Sequence, residues 1–182
     1  MRMLGETKDL VYAISAACSA VAGAAHDLKS RRIPNLLTGG SLLCGLGLHF
    51  ALGGLPGLGA SALAGLVAGG AFLLFYTAGG LGAGDVKLMA AVGCLAGLMP
   101  LESLLAVTAV TGALLALGIA MQQGKLQQTL VHTWTLVGHH QRQGLVPHPE
   151  LNVSNAQTLR MPFAVPIAAG CLASLGMQIW KG

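Results

Sequence analysis

Residues 36–53, LLTGGSLLCGLGLHFALG, and 58–79, LGASALAGLVAGGAFLLFYTAG, contain no Asp, Glu, Lys or Arg. Each is close to the ~20 apolar residues that one helix needs to cross the hydrocarbon core of a bilayer. The Gly and Pro residues between them break the run, so the pair reads as two crossings. Further apolar runs bounded by charge or by Pro and Gly lie at about 10–27, 86–100, 102–121 and 162–180. Six transmembrane helices result, the fourth of them short, and the chain is expected to form one all-α membrane bundle over residues 1–182.

Composition points the same way. Of 182 residues, 54% are apolar and 9% charged, with a mean hydropathy of +0.70. A soluble domain covers its surface with about 25% charged residues, so a water-soluble globule is excluded. Low charge also excludes a disordered chain. Ten Lys and Arg, for a net charge of +4, are too few for a nucleic-acid footprint. At this length one bundle fills the chain, and no appended soluble domain is expected.

The first apolar run ends in small residues, as a secretory signal does, but its flanks argue against one. Glu6 and Asp9 neutralise Arg2 and Lys8, while Lys29, Arg31 and Arg32 follow the run and oppose export. Lys29-Ser30-Arg31-Arg32 is the densest basic cluster and belongs in the cytoplasm. Six crossings then put Lys87, Lys125, Arg142 and Arg160 on the same side, against Arg2, Lys8 and Lys181 outside.

Cys18, Cys44, Cys94 and Cys171 each fall inside an apolar stretch with no C-x-x-C pair, which reads as packing rather than as zinc or disulfide chemistry. Gly65-x-x-x-Gly69 and Gly93-x-x-x-Gly97 have the spacing that lets helices approach closely, within one bundle or between copies of the chain. Residues 122–160 form the one long polar segment, expected to be a solvated, partly helical cytoplasmic loop. Its His132, His139, His140 and His148 match no helical ligand pair, and Glu150 is the one acid near them, so no metal site is expected.

Six acids make each one near the bilayer informative. Glu6, Asp9, Glu102 and Glu150 are assigned to tails and loops. Asp27 closes the first span and Asp85 opens the fourth, so both meet the same boundary layer, where ionisable groups are costly and usually functional. Two facing carboxylates in a partly dehydrated site share a proton. One then deprotonates water while the other protonates or polarises a carbonyl, which hydrolyses a peptide without a metal or a nucleophilic Ser or Cys. The bland alternative is that Asp27 pairs with Lys29 or Arg31, Asp85 pairs with Lys87, or each caps a helix.

Asp85 follows Gly79-Gly80-Leu81-Gly82-Ala83-Gly84, a stretch that lets the backbone bend or approach a substrate strand. Gly82-Ala83-Gly84-Asp85-Val86-Lys87-Leu88 resembles the GxGD signature of intramembrane aspartic proteases, in the form of the type IV prepilin peptidases. Asp27-Leu28-Lys29-Ser30-Arg31-Arg32-Ile33-Pro34-Asn35 is similar to that family's D-x-[KR]-x-x-x-I-P-N segment. Met161-Pro162-Phe163-Ala164-Val165-Pro166 is similar to its late P-[FY]-x-x-P element. The three occur in the family's order across nearly the whole chain.

The resemblance implies an inner-membrane aspartic endopeptidase that removes the short basic leader from membrane-embedded pilin-like precursors at the cytoplasmic face. Asp27 and Asp85 would be catalytic, with no metal or cofactor. Lys29, Ile33, Pro34, Asn35, Gly82, Gly84, Lys87, Pro162 and Pro166 would support them, Lys29 and Lys87 by orienting or balancing the carboxylates. Larger members carry an early loop with two C-x-x-C pairs and also N-methylate the new amino terminus. That loop is absent here, so methylation is not expected. The short form most resembles the peptidases of tight-adherence pilus systems, the TadV or CpaA type, whose substrates are Flp-type pilins. The competing class is a membrane ion or proton pathway, or a transport subunit, in which the two aspartates relay charge. Such sites usually lie nearer the bilayer midplane.

Overall fold

The structure, a computed structural model, describes residues 2–144 and 161–181, and its regular structure there is entirely helical. In chain order the helices are α1 (Arg2–Ser30), α2 (Asn35–Thr77), α3 (Ala83–Ala96), α4 (Leu101–Gln122), α5 (Leu126–Gln143) and α6 (Ala164–Lys181). Proline and left-handed residues punctuate them. α1 stops where Arg31 takes φ 51°, and Pro34 then disfavours helix at Ile33. α3 ends at Gly97, at φ 78°, and Pro100 precedes α4. Thr7–Ser30, Asn35–Thr77 and Leu101–Gln122 are long and apolar enough to cross a membrane, and Ala164–Trp180 is a shorter apolar helix. The chain is therefore an all-α membrane bundle.

A straight helix of 43 residues would be roughly 65 Å long, twice the thickness of a bilayer core. α2 avoids this by breaking at Gly54, whose φ of 64° and ψ of −155° belong to glycine, with Pro56 beside it. The contacts show that the chain doubles back there. On the first arm, Gly45 and His49 approach Cys94 and Leu95 of α3. On the second arm, Ser61 and Gly65 approach the same Cys94. Residues about equally far on either side of Gly54 thus lie at one level, which makes α2 a helical hairpin clasping α3.

α3 is the axis of the bundle. Leu88, Met89 and Val92 are fully buried, packed against Ala64, Ala68 and Phe72 of α2, Ala17, Ala20 and Ala24 of α1, and Ile167 of α6 in one core. Lipid offers no hydrophobic drive between helices, so such packing depends on small residues. A Cβ on Gly93 would meet Ala64 O at 2.8 Å, one on Gly69 would meet the Ala90 Cβ at 2.9 Å, and one on Gly65 would run into Cys94 Sγ. The two Gly-x-x-x-Gly stretches are therefore the two sides of one α2–α3 seam. Cys94 and Cys171 are buried, whereas Cys18 and Cys44 are exposed on the bundle surface and pack in no helix contact of this kind.

The last carbonyls of a helix have no partner of their own, and those of α3 end inside the bundle. Gly97 N–H bonds Gly93 O at 2.9 Å. Ser61 Oγ donates to Cys94 O at 2.7 Å and His49 Nε2 bonds Leu95 O at 3.2 Å. His49 also stacks on Tyr12 of α1, with ring centroids 3.7 Å apart, and Lys8 donates to Leu52 O near the hairpin turn. Asp9, assigned to a tail by sequence, lies in α1 at this end and acts on Tyr12 and His49.

α4 and α6 form an antiparallel pair, since Gly112 faces Phe163 while Gly170 lies against Thr108 and Leu104 O. α6 also packs along α1. α5 occupies part of the polar segment expected to be partly helical. It leaves α4 through a turn in which Gly124 has φ 65°, and it exposes Val131 and Trp134. His148, Glu150 and Arg160 lie outside the described residues.

A side chain added to the seam has no room to move aside. Gly93→Leu is expected to cost ~1–3 kcal/mol or more through overpacking. The thermal midpoint of the detergent-solubilised protein should fall well below wild type, and an unchanged midpoint would contradict the seam.

Candidate active site

Five chain segments meet at the end of the bundle opposite the Tyr12–His49 stack: the last turns of α1, the start and finish of α2, the start of α3 and the start of α6. Four of them bring residues singled out from the sequence, and the finish of α2 brings Phe72. Asp27 lies one turn from the end of α1, and Asp85 lies in the first turn of α3. The two carboxylates are close enough for the charge on Asp27 to act on Asp85.

The Ile33-Pro34-Asn35 segment and the GxGD turn are fitted to each other. Ile33 packs against Gly84, where an added Cβ would lie 3.5 Å from the Ile33 Cβ. Lys87 Nζ donates to Asn35 Oδ1 at 2.9 Å. Pro34 caps α2, its carbonyl accepting from the Leu37 and Thr38 N–H groups at 3.1 and 3.2 Å. The bland expectation that Lys87 pairs with Asp85 is thus replaced by a clasp to the other motif. Lys29 is exposed, and the cation set against Asp27 is Arg31.

Asp85 is held by its own turn. Gly82 N–H donates to Asp85 Oδ2 at 3.2 Å, and Asp85 N–H returns a bond to Gly82 O at 3.1 Å. Gly82 has ordinary extended angles, φ −85° and ψ 151°. Gly84 has only ordinary van der Waals space around an added Cβ. Neither glycine is required by its own backbone angles; a Cβ on Gly82 would crowd Asp85 Oδ2 at 3.2 Å, and Gly84 is the face on which Ile33 packs.

Asp85 precedes the apolar run of α3 and lies outside the three candidate spans. Its carboxyl is pushed up to about 6, first by burial and then by the charge of Asp27, against the opposing pull of the Gly82 N–H. Around that pH the pair is therefore poised to hold one proton between its members.

The third element supplies a donor rather than a side chain. α6 begins at Ala164. In its first turn Val165 N–H bonds Pro162 O at 3.2 Å and Ile167 N–H bonds Phe163 O at 3.4 Å, while Pro166 has no N–H. The remaining amide, that of Ala164, lies close enough to act on the Asp27 carboxylate. Phe163 meets Phe72 of α2 edge-on, with centroids 5.9 Å apart, which ties the head of α6 to the far side of the same end.

A family model, the type IV leader peptidase family, matches residues 14–117. The chain belongs to the type IV leader peptidase family. No curated protein and no solved structure matches it significantly. The matched region of this leader peptidase contains Asp27, the Ile33-Pro34-Asn35 segment, the GxGD turn and the whole α2–α3 seam. The Pro162–Pro166 element lies beyond it, and its place beside Asp27 comes from the fold.

Sequence reasoning missed Arg31 as a left-handed helix terminator and the Ala164 amide as a neighbour of Asp27. The second had a signal: two prolines four apart leave the first turn of a helix with few free amides. Two outcomes follow from the geometry. Asp27→Asn removes a like charge, which favours ionisation of Asp85, so the Asp85 carboxyl should titrate below about 6 while burial keeps it above an ordinary aspartate. Infrared titration of the protonated carboxyl band reads this, and an unmoved band would separate the two residues. Lys87→Met should leave abundance intact yet lower family activity roughly ten-fold by loosening the clasp, a loss of about 1.4 kcal/mol in transition-state terms. Full activity would show the clasp to be dispensable.

Proposed function

We propose that this leader peptidase is an aspartic endopeptidase that cleaves the leader from type IV pilin-like precursors, with Asp27 and Asp85 activating water. The observation that carries this reading is the meeting of the two carboxylates at one end of the bundle, where the GxGD turn packs on the Ile33-Pro34-Asn35 segment. Hydrolysis by such a pair needs a proton acceptor and a proton donor within reach of one carbonyl, and the pair supplies both.

The cytoplasmic face of the bacterial inner membrane is the proposed working side. Lys29, Arg31 and Arg32 lie at the same end as the carboxylates, and the positive-inside rule puts such a cluster in the cytoplasm. The substrate is a precursor whose apolar helix lies in the same membrane and whose basic leader reaches the carboxylates. Flp-type pilins are the proposed class, on the likeness of the short chain to tight-adherence peptidases. The chain carries no early pair of C-x-x-C motifs, so the proposed activity is hydrolysis without N-methylation.

The test is co-expression with a candidate Flp-type precursor, with the leader junction followed by mass spectrometry. Wild type should remove the leader, and Asp27→Asn and Asp85→Asn at matched abundance should each abolish removal. Cleavage that persists in both variants would end the aspartic reading.

A further inference from the structure

The segment that follows α4 carries charge of one sign. No acid stands between Glu102 and Glu150, while Lys125 directly precedes α5 and Arg142 lies in its last turn. Within α5 the apolar residues Leu126, Leu130, Trp134 and Val137 recur at i, i+4, i+8 and i+11, which is one face of a helix. Gln, Thr and His make up most of the rest. α5 is accordingly absent from the helices apolar enough to cross a bilayer.

The helix before it fixes its level. α4 is long and apolar enough to span and ends at Gln122, and three residues separate it from α5. The turn is tight, with Lys125 N–H bonding Ala120 O at 2.9 Å and Gly124 at φ 65°. α5 therefore starts where α4 leaves the hydrocarbon. Because α4 runs antiparallel to α6, this is the side of the bundle that bears the head of α6 and the carboxylates.

The bundle leaves the apolar face uncovered. α4 is the helix on which α5 packs, and Trp134 remains 81% exposed and Val131 57%. At the turn, Lys125, Gln127 and Val131 line one open recess, which sets a cation and an amide beside an apolar side chain.

We propose that α5 lies in the plane of the membrane as an interfacial helix, its face of Leu126, Leu130, Trp134 and Val137 sunk into the boundary between acyl chains and headgroups, and its positive charge drawing anionic phospholipid. An amphipathic helix of low overall hydrophobicity, with cations and a Trp, is suited to that boundary. Tryptophan favours the headgroup level, and basic residues beside a membrane span attract an anionic leaflet. The level at which α4 delivers α5 makes headgroups the surface nearest to it, ahead of a second copy of the chain or a soluble partner. That the leaflet is the cytoplasmic one rests on the orientation proposed above, whereas the binding of α5 to lipid does not. Bound so, α5 anchors the connection from α4 to α6 on the side that carries the carboxylates.

The chain has two tryptophans, Trp134 and Trp180, the second at the far end of α6. Trp180→Phe leaves Trp134 as the reporter in the full-length protein. This protein is reconstituted at low density into vesicles of equimolar phosphatidylcholine and phosphatidylglycerol, with bromine on the acyl chains of one lipid or the other. Trp134 emission should be quenched by brominated lipid and shielded from acrylamide in the water. Bromine on phosphatidylglycerol should quench more strongly than bromine on phosphatidylcholine. Lys125→Gln with Arg142→Gln, both surface changes, should bring the two signals together, the lipid preference falling by up to roughly five-fold for each cation removed. A Trp134 open to acrylamide and untouched by bromine would put α5 in water and overturn the proposal. A Trp134 shielded from both quenchers would overturn it in favour of a protein cover, a second copy if the shielding fades as the protein is diluted in lipid. Equal quenching by the two brominated lipids would overturn the anionic assignment. None of these readouts uses cleavage, so the peptidase reading stands or falls separately, on the aspartate variants.

Discussion

The closeness of the α2–α3 seam underlies everything else in this bundle. In a bilayer the alternative to a helix contact is lipid, as apolar as any leucine, so α3 is retained by backbone proximity and by hydrogen bonds that lipid cannot replace. Gly65 and Gly93 allow the first, while Ser61 and His49 supply the second by capping carbonyls of the α3 terminus. The clasp by both arms of α2 sets the depth and rotation of α3. Through these it sets where Asp85 emerges relative to Asp27.

At the other end of the bundle the same accounting of backbone groups builds the site. Helix ends carry unpartnered donors and acceptors, and a membrane protein must satisfy them within itself. Gly82 gives its amide to Asp85, and the Ala164 amide lies close enough to act on Asp27, so both carboxylates sit where helices begin and end.

The motifs join through unlike contacts. Ile33 and Gly84 meet by shape, Asn35 and Lys87 by a hydrogen bond, and Asp27 and Asp85 by charge. The two motifs are thus held together across α1, α2 and α3, and motion of any one of these helices would alter the spacing of the two carboxylates.

Hydropathy runs, helix-breaking residues and the scarcity of acids are local properties, and they were enough to assign a helical membrane bundle and to single out Asp27 and Asp85. They did not reveal that His49 and Ser61 cap α3, or that Lys87 bonds Asn35. Helices apolar on every side have no polar face to report their rotation. Which side chain meets which carbonyl then depends on register and depth, and only the packing of the helices against one another decides those.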